Sequence, residues 1–124
     1  MPAAYNGRIY YGPVGSPIMA YQFSNARLLT KAVAQTTTTF AYPGATPSVS
    51  ANAGTNGIVW AVENVNPAVL HAYNATNLIE LYNSNQAAGG VDHFGAGNKF
   101  VTPTIIHGKV YVGTQTGVGV FGLK

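Results

Sequence analysis

A chain of 124 residues and 12.9 kDa holds one domain or a part of one, since domains typically run to about 100–150 residues. Only 7% of the residues are charged while 47% are hydrophobic and 15 are glycine, against about 25% charged in an average globular protein, which argues against disorder and for a β-rich chain with many tight turns. The net charge of +3 comes from Arg8, Arg27, Lys31, Lys99, Lys109 and Lys124, no two adjacent, so the dense basic stripe of a nucleic-acid binder is missing, and with no cysteine there are no disulfides, thiolate nucleophiles or Cys-ligated zinc.

In chain order, β-branched and aromatic runs bounded by Gly, Asn and Pro predict strands. Arg8-Ile9-Tyr10-Tyr11 comes first, behind an Asn6-Gly7 turn signal, and Ile18-Met19-Ala20-Tyr21 follows. Residues 25–34 fit either a short helix or a strand entering a loop. The uncharged stretch 32–62 holds four consecutive threonines, two prolines and several glycines, so it does not read as a membrane-spanning helix. Gly57-Ile58-Val59-Trp60-Ala61-Val62, behind Asn56-Gly57, and Val69-Leu70-His71-Ala72-Tyr73 are the central strands. Residues 83–98 read as a long glycine- and alanine-rich loop. Lys109-Val110-Tyr111-Val112, behind His107-Gly108, and Val118-Gly119-Val120-Phe121 close the sequence. Met1-Pro2-Ala3-Ala4-Tyr5 lacks the basic and apolar regions of a signal peptide.

Aligning the turns exposes a repeat that starts at Pro2, Pro47 and Pro103, spaced 45 and 56 residues apart. Each copy reads as proline, a short strand, a glycine turn and an alternating strand, and a further strand follows it; the middle copy has an insertion before Thr55-Asn56-Gly57. The spacing is close to that of a four-stranded propeller blade.

Pro103-Thr104-Ile105-Ile106-His107-Gly108-Lys109-Val110-Tyr111-Val112-Gly113-Thr114, followed by Gly117-Val118-Gly119-Val120-Phe121, resembles the blade signature of pyrroloquinoline-quinone-like (quinoprotein-type) β-propeller repeats. Residues 86–100 also resemble the segment that leads into the last blade of secreted bacterial proteins of this type. The resemblance implies an all-β chain of two to three four-stranded antiparallel blades: blade 1 at about 2–46, blade 2 at about 47–100 and an incomplete, three-stranded blade 3 at about 101–124. It implies the C-terminal fragment of a larger ring, from a family typical of the bacterial periplasm or exterior. Open blade faces and unpaired edges are costly. Two chains would total between five and six blades and three about eight, within the propeller range of about four to eight. A homodimer or homotrimer that closes the ring is therefore expected, with no nucleic-acid or membrane partner. Quinone chemistry in this family uses a vicinal disulfide and an acidic calcium site, whereas this chain has no cysteine and only Glu63, Glu80 and Asp92 as acids. No quinone cofactor is expected, and a non-catalytic binding or scaffold module is the default.

Asp92-His93 in the glycine-rich loop is the most site-like pair. A carboxylate beside an imidazole suits acid/base work or a metal ion, so Asp92, His93 and Lys99 form the candidate catalytic set, and Asp92 and His93 the candidate metal ligands. The bland reading has these residues holding the loop in place. His71 reads as a hydrogen-bonded strand residue, and His107 as a turn residue. Gly117-Val118-Gly119-Val120-Phe121-Gly122 fits a dinucleotide fingerprint in letters alone, because no helix follows. Abundant Asn and Tyr with little charge make a carbohydrate or small-molecule ligand the remaining alternative.

Overall fold

The computed structural model describes residues 1–122. They form an all-β chain of three antiparallel sheets. Among them no helix is long and apolar enough to cross a membrane. The first sheet contains β1 (Ala3–Tyr5), β2 (Arg8–Tyr11) and β3 (Ser16–Ser24), with β4 (Arg27–Leu28) and β5 (Ala34–Phe40) sharing the far edge of β3. The second runs β6 (Ser48–Asn52), β7 (Thr55–Glu63), β8 (Val69–Asn74), β9 (Glu80–Asn83). The third runs β10 (Thr104–Ile106), β11 (Lys109–Gly113), β12 (Val118–Gly122). The repeat seen in the sequence is thus a repeat of sheets, whose short first strands β1, β6 and β10 follow Pro2, Pro47 and Pro103.

The hairpins follow from their turn residues. Asn6 (φ 47°) with Gly7 (φ 71°) joins β1 to β2, and His107 (φ 49°) with Gly108 (φ 71°) joins β10 to β11. Positive φ at both central residues gives the turn twist that matches twisted strands. In the second sheet the expected Asn56-Gly57 turn is displaced. Asn52 pairs with Thr55, so the turn is Ala53 (φ 45°) with Gly54 (φ 88°), and Asn56 (φ 53°) becomes an irregular residue inside β7. The inserted residues lengthen this hairpin instead of looping out of it. Gly57 keeps a different role: a β-carbon there would run into the Tyr5 ring, whose hydroxyl donates to the Gly54 carbonyl at 2.7 Å.

Residues 25–34 form no helix. β4 ends at Leu28, the Leu29 N–H still donates to the Gln22 carbonyl at 2.9 Å, and the backbone then leaves the sheet until Val33 donates back to the Ala20 carbonyl at 2.8 Å. The threonine run that follows is a strand: Thr36 is buried, and its Oγ1 accepts from the Ile18 N–H at 3.0 Å.

The second sheet is covered on both faces, and every residue from Val69 to Tyr73 is buried. Side chains alternate along each strand. Val59, Ala61 and Tyr73 therefore pack against Tyr10, Ile18, Ala20 and Phe40 of the first sheet. Trp60, Val62 and Leu70 pack instead against Val110, Val112 and Phe121 of the third. Along one side of this stack β6 touches both β1 and β10. The outer sheets each have one covered face. Alternation turns Tyr11 (47% exposed) and Phe23 away from the stack at one end, and Ile106, Val118 (64% exposed) and Val120 at the other.

Candidate functional site

A cleft of about 1150 Å³ opens between the second and third sheets. Its walls come from β6 and β7 (Asn52, Asn56, Trp60), from β9 and the following loop (Leu81, Tyr82, Val91 to Phe94), and from Ile105, Val110 and Phe121 of the third sheet. Among the described residues no lysine or arginine lines it, and Asp92 is its one carboxylate.

The loop is tied down at each end. Ser84 is buried at its start, accepting the Leu70 N–H on Oγ at 3.1 Å while its own N–H donates to the Leu70 carbonyl at 3.0 Å. A single 3-10 turn, Ala88–Gly90, aims the chain back at the cleft, and the His93 N–H donates to the Gly90 carbonyl at 3.0 Å. Gly90 has φ 68°, and a β-carbon there would lie 2.9 Å from the His93 imidazole. Phe94 packs edge-on to Phe121 at 5.0 Å and covers Gly119, where a β-carbon would meet its ring at 2.8 Å. At its far end the Gly97 N–H donates to the Val65 carbonyl at 2.9 Å.

Asp92 and His93 both line the cleft, as a joint site would require. The polar partner of Asp92 is Tyr82, whose hydroxyl donates to Oδ2 at 2.5 Å. Lys99 stands apart, with its ammonium 5.2 Å above the Tyr42 ring. Among the described residues no group of three or more His, Asp or Glu is arranged to hold a metal ion. Trp60 donates its indole N–H to Ser50 Oγ at 2.8 Å, so its hydrogen-bonding edge is occupied.

A second polar cluster lies on the opposite face of the second sheet. His71 is 5% exposed; Nδ1 lies 2.7 Å from Glu80 Oε1 and Nε2 lies 3.4 Å from Glu63 Oε2. Asn83 Nδ2 donates to the other Glu80 oxygen at 2.9 Å, while Tyr73 stacks on the imidazole and Phe40 meets it edge-on. His71 is thus a hydrogen-bonded strand residue, as its place in the sequence suggested. Its glutamate partners escaped sequence reasoning because only the strand register brings Glu63 and Glu80 to it. All three acids of the chain are engaged, two by His71 and one by Tyr82.

Burial pushes the phenol of Tyr82 well above its ordinary value of 10.0, and the Asp92 carboxylate pushes the same way. Burial also raises Tyr10 and Tyr73. A group with a raised folded-state value contributes stability that is complete below its unfolded value and is lost as pH climbs through the folded one. The urea midpoint should therefore be lower at about pH 11 than at about pH 8. An equal midpoint at both would show that these phenols ionise without opposing the fold.

No family model, curated protein or solved structure matches this chain.

Proposed function

We propose that the chain is a non-catalytic binding or scaffold module, an arc of propeller blades resembling part of a quinoprotein-like ring, which self-associates to complete that ring. The observation that supports it most is the stacking order. Three meander sheets lie face to face with their first strands adjacent, β1 to β6 and β6 to β10, as the inner strands of successive blades would be. The two end faces support self-association. Tyr11, Phe23 and Leu28 at one end, and Ile106, Val118 and Val120 at the other, leave apolar surface of the kind the second sheet buries on both sides. Joining unlike faces is a heterologous contact, which closes only as a ring. Hydrolysis through Asp92 and His93, or binding of a sugar beside Trp60, Asn52 and Asn56, would use the same cleft and are the competing readings.

Light scattering on a sizing column over a range of concentrations tests the proposal. One species of two or three chains is expected. Tyr11→Glu in one end face, or Val118→Glu in the other, should each reduce it to monomers, because every joint uses both faces. A folded wild-type monomer at all concentrations would overturn ring closure.

A further inference from the structure

β4 and β5 share one edge of β3, and the chain between them leaves the sheet as a loop. Its ends are pinned to β3 by Leu29, which donates to the Gln22 carbonyl, and by Val33, which donates to that of Ala20. Between them, among the described residues, Thr30, Lys31 and Ala32 make no backbone hydrogen bond. Every residue from Phe23 to Lys31 is exposed. Phe23 and Leu28 belong to the end face of the first sheet, whereas Leu29 (53% exposed) and Val33 (49% exposed) stand on the loop itself. With Thr30, Lys31 and Ala32 they line an open hollow of about 510 Å³.

The charge on this loop has one sign. Arg27 and Lys31 interleave with its apolar residues, and neither has an acidic partner among the described residues. Residues 1–62 hold Arg8, Arg27 and Lys31 and no Asp or Glu; the three acids follow from Glu63 onward, where His71 and Tyr82 engage them. Exposed apolar side chains mixed with unpaired cations suit a partner that is both oily and negatively charged. A stable protein interface uses about 20–30 residues a side, far more than this loop supplies. A bilayer needs no such area or matched shape, because its lipids rearrange around a small protruding element.

We propose that residues 27–33 are a peripheral membrane contact that rests on the headgroups of an anionic bilayer. Leu29 and Val33 reach the acyl boundary, while Arg27 and Lys31 extend their apolar stems along it and set their charges against lipid phosphates. This depth keeps the unpaired backbone of residues 30–32 in contact with water, which the hydrocarbon core would deny it. The proposal departs from the expectation of no membrane partner, since a loop that rests on the surface needs no spanning helix.

Cosedimentation of the whole chain with vesicles tests it. Binding is expected to vesicles of equal parts phosphatidylglycerol and phosphatidylcholine, to fall sharply on phosphatidylcholine alone and to weaken as salt rises. Arg27→Gln with Lys31→Gln should lower the partition about 25-fold, about fivefold for each cation. Leu29→Ser with Val33→Ser should lower it about tenfold, because the exposed half of each side chain no longer leaves water for lipid. All four side chains are exposed, so both variants should melt with the wild type. Failure of the wild type to bind anionic vesicles at low salt would overturn the proposal, as would undiminished binding by the folded Gln pair. If only the Gln pair lost binding, the loop would be a charge contact of the kind an acidic protein makes, and the membrane reading would fall. Ring closure is read separately by light scattering, so either idea can fail without the other.

Discussion

Replacing Tyr10 with alanine should cost about 3–5 kcal/mol, the usual range for deleting a buried aromatic ring. Tyr10 is fully buried at the centre of β2 and spans the joint between the first two sheets, with its hydroxyl donating to the Ala75 carbonyl at 2.7 Å. Deleting it opens a cavity among Ile18, Ala20, Val59 and Tyr73, and the ladders that hold Ala20, Val59 and Tyr73 in place let the space collapse only poorly. Against a total of about 5–15 kcal/mol for an ordinary domain, the loss is a large fraction. Tyr10→Phe separates packing from hydrogen bonding. It should cost only about 1 kcal/mol, because the ring stays and Arg8 still donates to the same carbonyl at 3.2 Å. Urea unfolding of the two variants measures both terms. Equal losses would mean that the hydroxyl, and not the ring, holds the sheets together.

His71→Leu should be the other severe change, at about 2–3 kcal/mol. Leucine preserves much of the packing against Phe40 and Tyr73 but leaves Glu63 and Glu80 facing each other without the imidazole between them. Leaving a buried polar group without its hydrogen-bond partner costs about 1–3 kcal/mol, and more for a carboxylate, while the partial exposure of both glutamates limits the figure here. Thermal unfolding should show added salt restoring part of the loss, because salt screens the repulsion between the glutamates. The triple variant with Glu63→Gln and Glu80→Gln should recover most of it. If His71→Leu alone matched the wild-type melting temperature at low salt, the cluster would have no structural role.

Local chemistry made the strand framework legible. The glycine turns and β-branched runs located β2, β7, β8, β11 and β12, and the three prolines marked the start of each sheet. The second and third sheets have the four and three strands that the repeat predicts, whereas the first has five instead of four because β5 joins β3 beside β4. What escaped depends on partners distant in sequence. β5 is an uncharged threonine run without apolar alternation, and it becomes a strand because β3 offers an edge and Ile18 a donor for Thr36. The Ala53-Gly54 turn is hidden in the sequence by Asn56-Gly57, the stronger local signal. Asp92 and His93 could be singled out as site residues, and both line the cleft, but nothing near them in the chain shows that Tyr82 binds the carboxylate.

The topology also sets an order of assembly. Nearly every strand pairs with its neighbour in sequence, and the one detour, from β3 past β4 to β5, crosses only residues 25–33. Loop-closure entropy grows with the separation of the joined segments, so each sheet can form early from short-range contacts. The slower search is for the two sheet-to-sheet joints, and the second sheet belongs to both. A chain elongating from its N-terminus therefore completes the first sheet while its docking surface is still unmade, and the Tyr10 and Ile18 side stays solvent-exposed until β9 has emerged. This interval is when the nascent protein is most prone to sticking to its neighbours, and it ends when the middle sheet closes.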